Sequence, residues 1–92
     1  MNYAVIRGDQ FMEDVYWRAR WYTRKAGTDV AQKFEAAVDE TLLRIGRNPT
    51  IGHVAPFSHP DLQKLRSLTV VSSFGQIRIF YRMEGSTVYV FR

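Results

Sequence analysis

The chain has no cysteine, which excludes a disulfide framework and a thiolate metal site and fits a reducing compartment. It has no apolar run near the roughly 18 residues of a membrane span. The opening Met1 to Arg7 is too short, and too soon interrupted by charge, for the apolar stretch of a secretion signal. A soluble cytoplasmic protein is therefore expected. Histidine is scarce: His53 and His59 stand six apart with only Asp61 close by, too few ligands for zinc. Both are read as loop residues, and neither a metal nor a cofactor is expected.

What is present suffices for one core. A chain of 92 residues buries only about 60 to 70% of its unfolded surface and cannot divide that between two cores, so residues 1–92 are taken as a single domain. An apolar content of 46% allows folding but leaves little beyond the conformational entropy cost, so a partner that covers exposed apolar surface would matter. Thirteen Lys and Arg against nine Asp and Glu give +4, mostly through arginine. That charge is compatible with nucleic acid, a nucleoprotein machine or an acidic peptide as partner.

Tyr3 to Arg7 is a short β-branched and aromatic run closed by Gly8 and predicts a strand. Asp9 is the expected cap of a helix on which Phe11, Val15 and Tyr22, with Met12, Ala19 and Trp21 beside them, form a broad apolar stripe. Gly27 ends it. Thr28 or Asp29 is the expected cap of a second helix, where Val30, Phe34, Val38, Leu42 and Ile45 recur at helical spacing and Ala31, Ala37 and Leu43 widen the face. Gly46 and Asn48-Pro49 stop it, and with only Ala26 and Gly27 at the junction the helices must form a hairpin. Residues 47–63 hold all three prolines and no period, which predicts a long surface loop. Thereafter the period is two: Leu65 to Val71, Ile77 to Met83 and Thr87 to Phe91 read as strands whose short links imply an antiparallel meander. The fold expected is α+β, with an N-terminal strand and an antiparallel helical hairpin packed on an antiparallel sheet that ends in a three-stranded meander.

In the middle strand of the meander Ile77, Ile79 and Tyr81 point one way, and Arg78, Phe80 and Arg82 the other. If the first row lies on the helices, the second offers two guanidinium groups around an aromatic ring. Such a fork suits phosphate and carboxylate alike; pairing with Glu84 is the plainer alternative. Trp17 and Trp21, one turn apart among Arg18, Arg20 and Arg24, have the composition of a binding hot spot. The alternative is that one packs in the core and a partner covers the other.

This order of elements, with the residues that fill it, resembles the RelE/ParE superfamily over nearly the whole chain. The resemblance rests on Asp14 and Tyr22, Gly27 at the bend, and Ala31, Phe34, Val38 and Leu42. It continues through Asn48-Pro49 with Gly52, Leu65-Arg66, and Phe74 ahead of Ile77-Arg78-Ile79-Phe80-Tyr81-Arg82, a stretch that leans towards the ParE branch. ParE-like members are understood as toxins that trap DNA gyrase on cleaved DNA without breaking bonds themselves. RelE-like members are ribosome-dependent messenger RNA endonucleases, and both kinds are neutralised by an antitoxin.

Arg78 matches the sheet arginine of the nucleases, but Thr69 and Val71 stand where those carry lysines, and the sequence ends at Arg92 where they continue into a basic segment bearing a tyrosine. The resemblance therefore implies a gyrase inhibitor and favours a binder over an enzyme, with no catalytic residues. An endonuclease, or a degenerate non-toxic member that still binds antitoxin, is the alternative. Candidate target-binding residues are Arg66, Arg78, Phe80, Arg82 and Arg92. Candidate antitoxin-binding residues are Trp17, Trp21 and Phe34 on the helical hairpin, with Phe80 and Tyr89 on the sheet.

Overall fold

A computed structural model describes residues 2–54 and 65–92. Strand β1 (Ala4–Arg7) leads into α1 (Asp9–Ala26) and α2 (Thr28–Arg47), which pack on each other as the expected hairpin. Neither helix uses a side-chain cap. Asp9 and Thr28 are already the first helical residues, entered from Gly8 and Gly27, and Asp9 and Asp29 act only through their charge at the positive end of each dipole. Gly27 closes one helix and opens the other at φ +97°, a conformation in which a side chain is strained, and its N–H reaches the Tyr22 and Thr23 carbonyls.

The stretch 47–63 is not a single loop. Arg47 belongs to α2, Pro49–Ile51 makes one 3-10 turn, and His53–Val54 forms a short strand, β2. Two residues carry too little periodicity to be recognised in sequence. Residues 55–63, with His59 and Asp61 among them, lie outside the described residues. Strands β3 (Arg66–Thr69), β4 (Arg78–Glu84) and β5 (Thr87–Val90) form the expected antiparallel meander, with a second 3-10 turn at Ser72–Phe74.

The sheet order is β1-β5-β4-β3-β2. One pairing differs from an all-antiparallel sheet: β1 runs parallel to β5, with Val5 opposite Val88 and Ile6 opposite Tyr89. These strands are joined through the whole intervening chain rather than by a turn, which leaves the parallel direction open to them.

The inner sheet face, Ile79 and Tyr81 with Val88 and Val90, meets Phe34, Val38, Leu42 and Ile45 of α2, all almost wholly buried. Each such side chain contributes about 1.5 to 3 kcal/mol by leaving water. Leu43, by contrast, is exposed and adds nothing to that face. Buried Thr41 ties helix to sheet, since its hydroxyl donates to the Ala37 carbonyl at 2.7 Å and accepts from the Val71 N–H at 3.1 Å. The rings of Tyr22, Phe34 and Phe74 pack mutually with centroids 5.1 to 5.5 Å apart and pin the closed end of the hairpin, near Gly27, to the 3-10 turn at Ser72–Phe74.

Candidate functional site

Helix α1 buries only Phe11 and Ala19, with Val15 and Tyr22 partly covered. These four take the inward positions, so the apolar stripe is narrower than expected: Met12 is exposed, and so are both Trp17 and Trp21. Neither tryptophan packs in the core. Both line a groove of about 760 Å³ between α1 and the first half of β4, where Phe11, Val15 and Ile77 give an apolar floor and Arg18, Arg78 and Arg92 a cationic rim.

The end of the sheet shapes the groove. The N–H groups of Phe91 and Arg92 both approach the Phe80 carbonyl, at 2.8 and 3.5 Å, and the Phe80 N–H donates to the Arg92 carbonyl at 2.8 Å. Two residues thus oppose one, a β-bulge that bends the strand end. The Arg92 side chain meets α1, its Nε 3.4 Å from Asp14 Oδ2, while Gln10 donates to Asp14 Oδ1 at 2.8 Å.

On the outer sheet face Arg78 is exposed and donates from Nη1 to Ser67 Oγ at 3.0 Å. Arg82 is half-buried. It pairs with Glu84 two residues along the same strand, its guanidinium lies 5.4 Å from the Phe91 ring centroid, and its Nε has no partner among the described residues. Tyr89 stands opposite Arg82 on this face. Arg66 does not join them. It pairs with Tyr81 in register, on the inner row, and donates to the Gly52 carbonyl at 2.9 Å. Phe34 is a core residue, 1% exposed, and reaches the groove only from beneath.

The structure therefore gathers Trp17, Trp21, Arg78, Phe80 and Arg92 around one groove, leaves Arg82 and Tyr89 farther along the outer face, and places Arg66 on the opposite side. Arg18, noted from sequence beside the two tryptophans but not placed among the candidate contacts, and Gln76, not singled out at all, also line the groove. For Arg18 a signal existed, since it lies one helical turn from both Asp14 and Trp21. His53 is likewise no loop residue: its register partner is Ser67, which puts it in the outer row that continues to Phe80.

Tyr81 is fully buried on the inner side. Its hydroxyl donates to the Pro49 carbonyl at 2.7 Å and accepts from the Gly52 N–H at 2.9 Å, and burial pushes its pKa above 10. A Cβ at Gly52 would collide with that hydroxyl and with the Ser67 carbonyl. The Asn48-Pro49 and Gly52 pattern is thus a structural latch, and Tyr81 cannot serve the outer face. The cations that remain there are guanidinium groups, which hold charge but do not release protons.

A family model describing the ParE toxin of the parDE type II toxin-antitoxin system matches residues 5–92. The chain belongs to the ParE toxin family. This is the branch to which Ile79-Phe80-Tyr81-Arg82 pointed. A solved structure described as the chromosomal ParDE toxin-antitoxin system from P. aeruginosa shares the fold, with a TM-score of 0.78 at 17% identity over 98% of this chain and 91% of that one. A comparison with curated proteins finds no match. No helix among the described residues of this ParE-family chain is long and apolar enough to cross a membrane.

Proposed function

We propose that this ParE-family protein is a cytoplasmic toxin that inhibits DNA gyrase by binding and is neutralised by a cognate antitoxin. The supporting observation is the groove between α1 and β4, which offers Trp17, Trp21 and Phe80 for adhesion beside Arg18, Arg78 and Arg92. Cleaving a phosphodiester without a metal needs a group to take a proton, one to give a proton and cations for the developing charge. The groove supplies the cations. Candidate residues for target and antitoxin share it, so an antitoxin seated there displaces the target directly. Supercoiling and DNA-cleavage assays with purified gyrase test this: trapped cleaved DNA is expected, and uninhibited supercoiling with no trapped complex would overturn it.

One observation favours a second reading, a messenger RNA endonuclease acting on the ribosome. His53 opposes Ser67, which accepts from Arg78, so an imidazole shares the outer face with a guanidinium. Translating ribosomes supplied with the protein would then yield codon-phased cuts that His53→Ala removes, and intact transcripts would eliminate this reading.

A further inference from the structure

The two edges of the sheet are guarded differently. At one edge β2 has only two residues, too short to template another strand. At the other, β1 has four, with no proline, and its one charge is Arg7, whose Nη2 lies 3.2 Å from Asp39 Oδ1 of α2. Exposed apolar side chains flank this edge on both sides: Ile6 on the outer sheet face, 46% exposed, and Leu43 of α2 on the helix side, 59% exposed.

Parallel pairing with β5 sorts the hydrogen-bonding groups of β1. The N–H groups of Ala4 and Gly8 donate to the Ser86 and Val90 carbonyls at 3.2 and 2.9 Å, so alternation turns the backbone groups of Val5 and Arg7 outward. Among the described residues β5 is the only strand beside β1. Tyr3 faces outward as well, but its N–H already donates to the Gly46 carbonyl at 2.7 Å. An antiparallel second copy of β1 with its two-fold axis at Ile6 satisfies both free residues, because Val5 exchanges its two bonds with Arg7 of the second copy and Arg7 with Val5. An axis at Val5 would set Arg7 against Tyr3, whose N–H is taken. With the axis at Ile6 the two Ile6 side chains meet as a closely spaced pair, and no like charges stand opposite.

Helix α2 carries a matching pattern. Asp39, Leu43 and Arg47 recur one turn apart and line a groove of about 410 Å³ together with Val5 and Arg7. This stripe is acidic at one end, apolar in the middle and basic at the other. A two-fold axis reverses it, so the acidic end of one copy runs towards the basic end of the other. Nucleic acid has no ladder of N–H and C=O groups to offer Val5 and Arg7. A peptide of one charge sign meets a like charge, either at Asp39 or at Arg7 and Arg47.

We infer that two copies of this chain dimerise through the β1 edge, with Ile6 and Leu43 central to the contact, and join their sheets into one. The inference is independent of the gyrase reading. The groove at Trp17 shares no lining residue with the groove beside β1, so both copies keep it open.

The test follows the full chain by sedimentation and by amide hydrogen exchange from about 1 to about 300 µM. An interface at the small end of the usual range sets an expected dissociation constant on the order of 10 µM. The Val5 and Arg7 amides should exchange at least about tenfold more slowly at the high concentration than after dilution. Ile6→Lys and Leu43→Glu, both at exposed positions, should each raise the dissociation constant at least about tenfold and remove that protection, while melting as the diluted wild type does. Leu43→Glu lies outside the strand and keeps the test decisive should Ile6→Lys disturb folding. Trp17→Ala should dimerise as wild type. A chain that stays monomeric at the highest concentration would overturn the inference. So would a dimer that Leu43→Glu leaves intact, or Val5 and Arg7 amides that are protected only when the product of the adjoining reading frame or single-stranded DNA is added.

Discussion

The two helices differ little in length and greatly in use. Helix α2 buries eight of its 20 residues, from Ala31 to Gly46, against the sheet and α1. Helix α1 buries two of its 18 and leaves Met12, Tyr16, Trp17 and Trp21 in solvent. A helix that shows its largest aromatic side chains to water gains little stability from them, which leaves them to the binding role proposed for the groove. The division extends to the sheet: the inner row of β4 is core, and its outer row carries Arg78, Phe80 and Arg82.

The widest separation between the helices is expected at Phe34, where truncation to Ala should cost about 3 to 5 kcal/mol in urea unfolding, a large share of a small domain's stability. Gly52→Ala should cost about 2 kcal/mol or more, because the added methyl meets the Tyr81 hydroxyl and the Ser67 carbonyl. Tyr81→Phe should cost about 1 to 3 kcal/mol by leaving the buried Pro49 carbonyl and Gly52 N–H without their shared partner.

Tyr81→Phe also sharpens the comparison through pH. The unfolded tyrosine ionises near 10 and the folded one above it, so the contribution of the neutral phenol is whole below pH 10 and is lost as pH climbs through the higher folded value. Wild-type stability should therefore decline on the alkaline side, and the variant should show a flatter decline in denaturation measured from pH 9 upward. The smallest effect on the fold is expected on α1: Trp17→Ala should change stability by no more than about 0.5 kcal/mol while weakening partner binding by more than about 1 kcal/mol. A melting curve and a titration on one preparation check both halves.

The contrast also explains what could be read from sequence. Phe34, Val38, Leu42 and Ile45 fix α2 because their period and their burial coincide, and the alternation around Ile79 and Tyr81 fixes the inner side of β4 for the same reason. On α1 the apolar residues outnumber the positions facing the core, so periodicity found the helix but could not tell that Met12 and both tryptophans were left outside. Arg66 and Arg78 look equivalent as strand arginines. Only the register with β4 shows that one faces the Thr50–Gly52 carbonyls and the other Ser67. The strand at His53 was hidden because its pairing with Ser67 is a long-range event with no local period. The groove itself needs the bulge at Phe91 and Arg92, which depends on how β5 ends against Phe80.

The central claim, that one groove serves both target and antitoxin, is tested most directly by adding the free protein and the purified toxin-antitoxin complex, at equal concentration, to a gyrase DNA-cleavage reaction. Cleaved DNA should accumulate with the free protein and stay at background with the complex. Equal accumulation from both would contradict the claim.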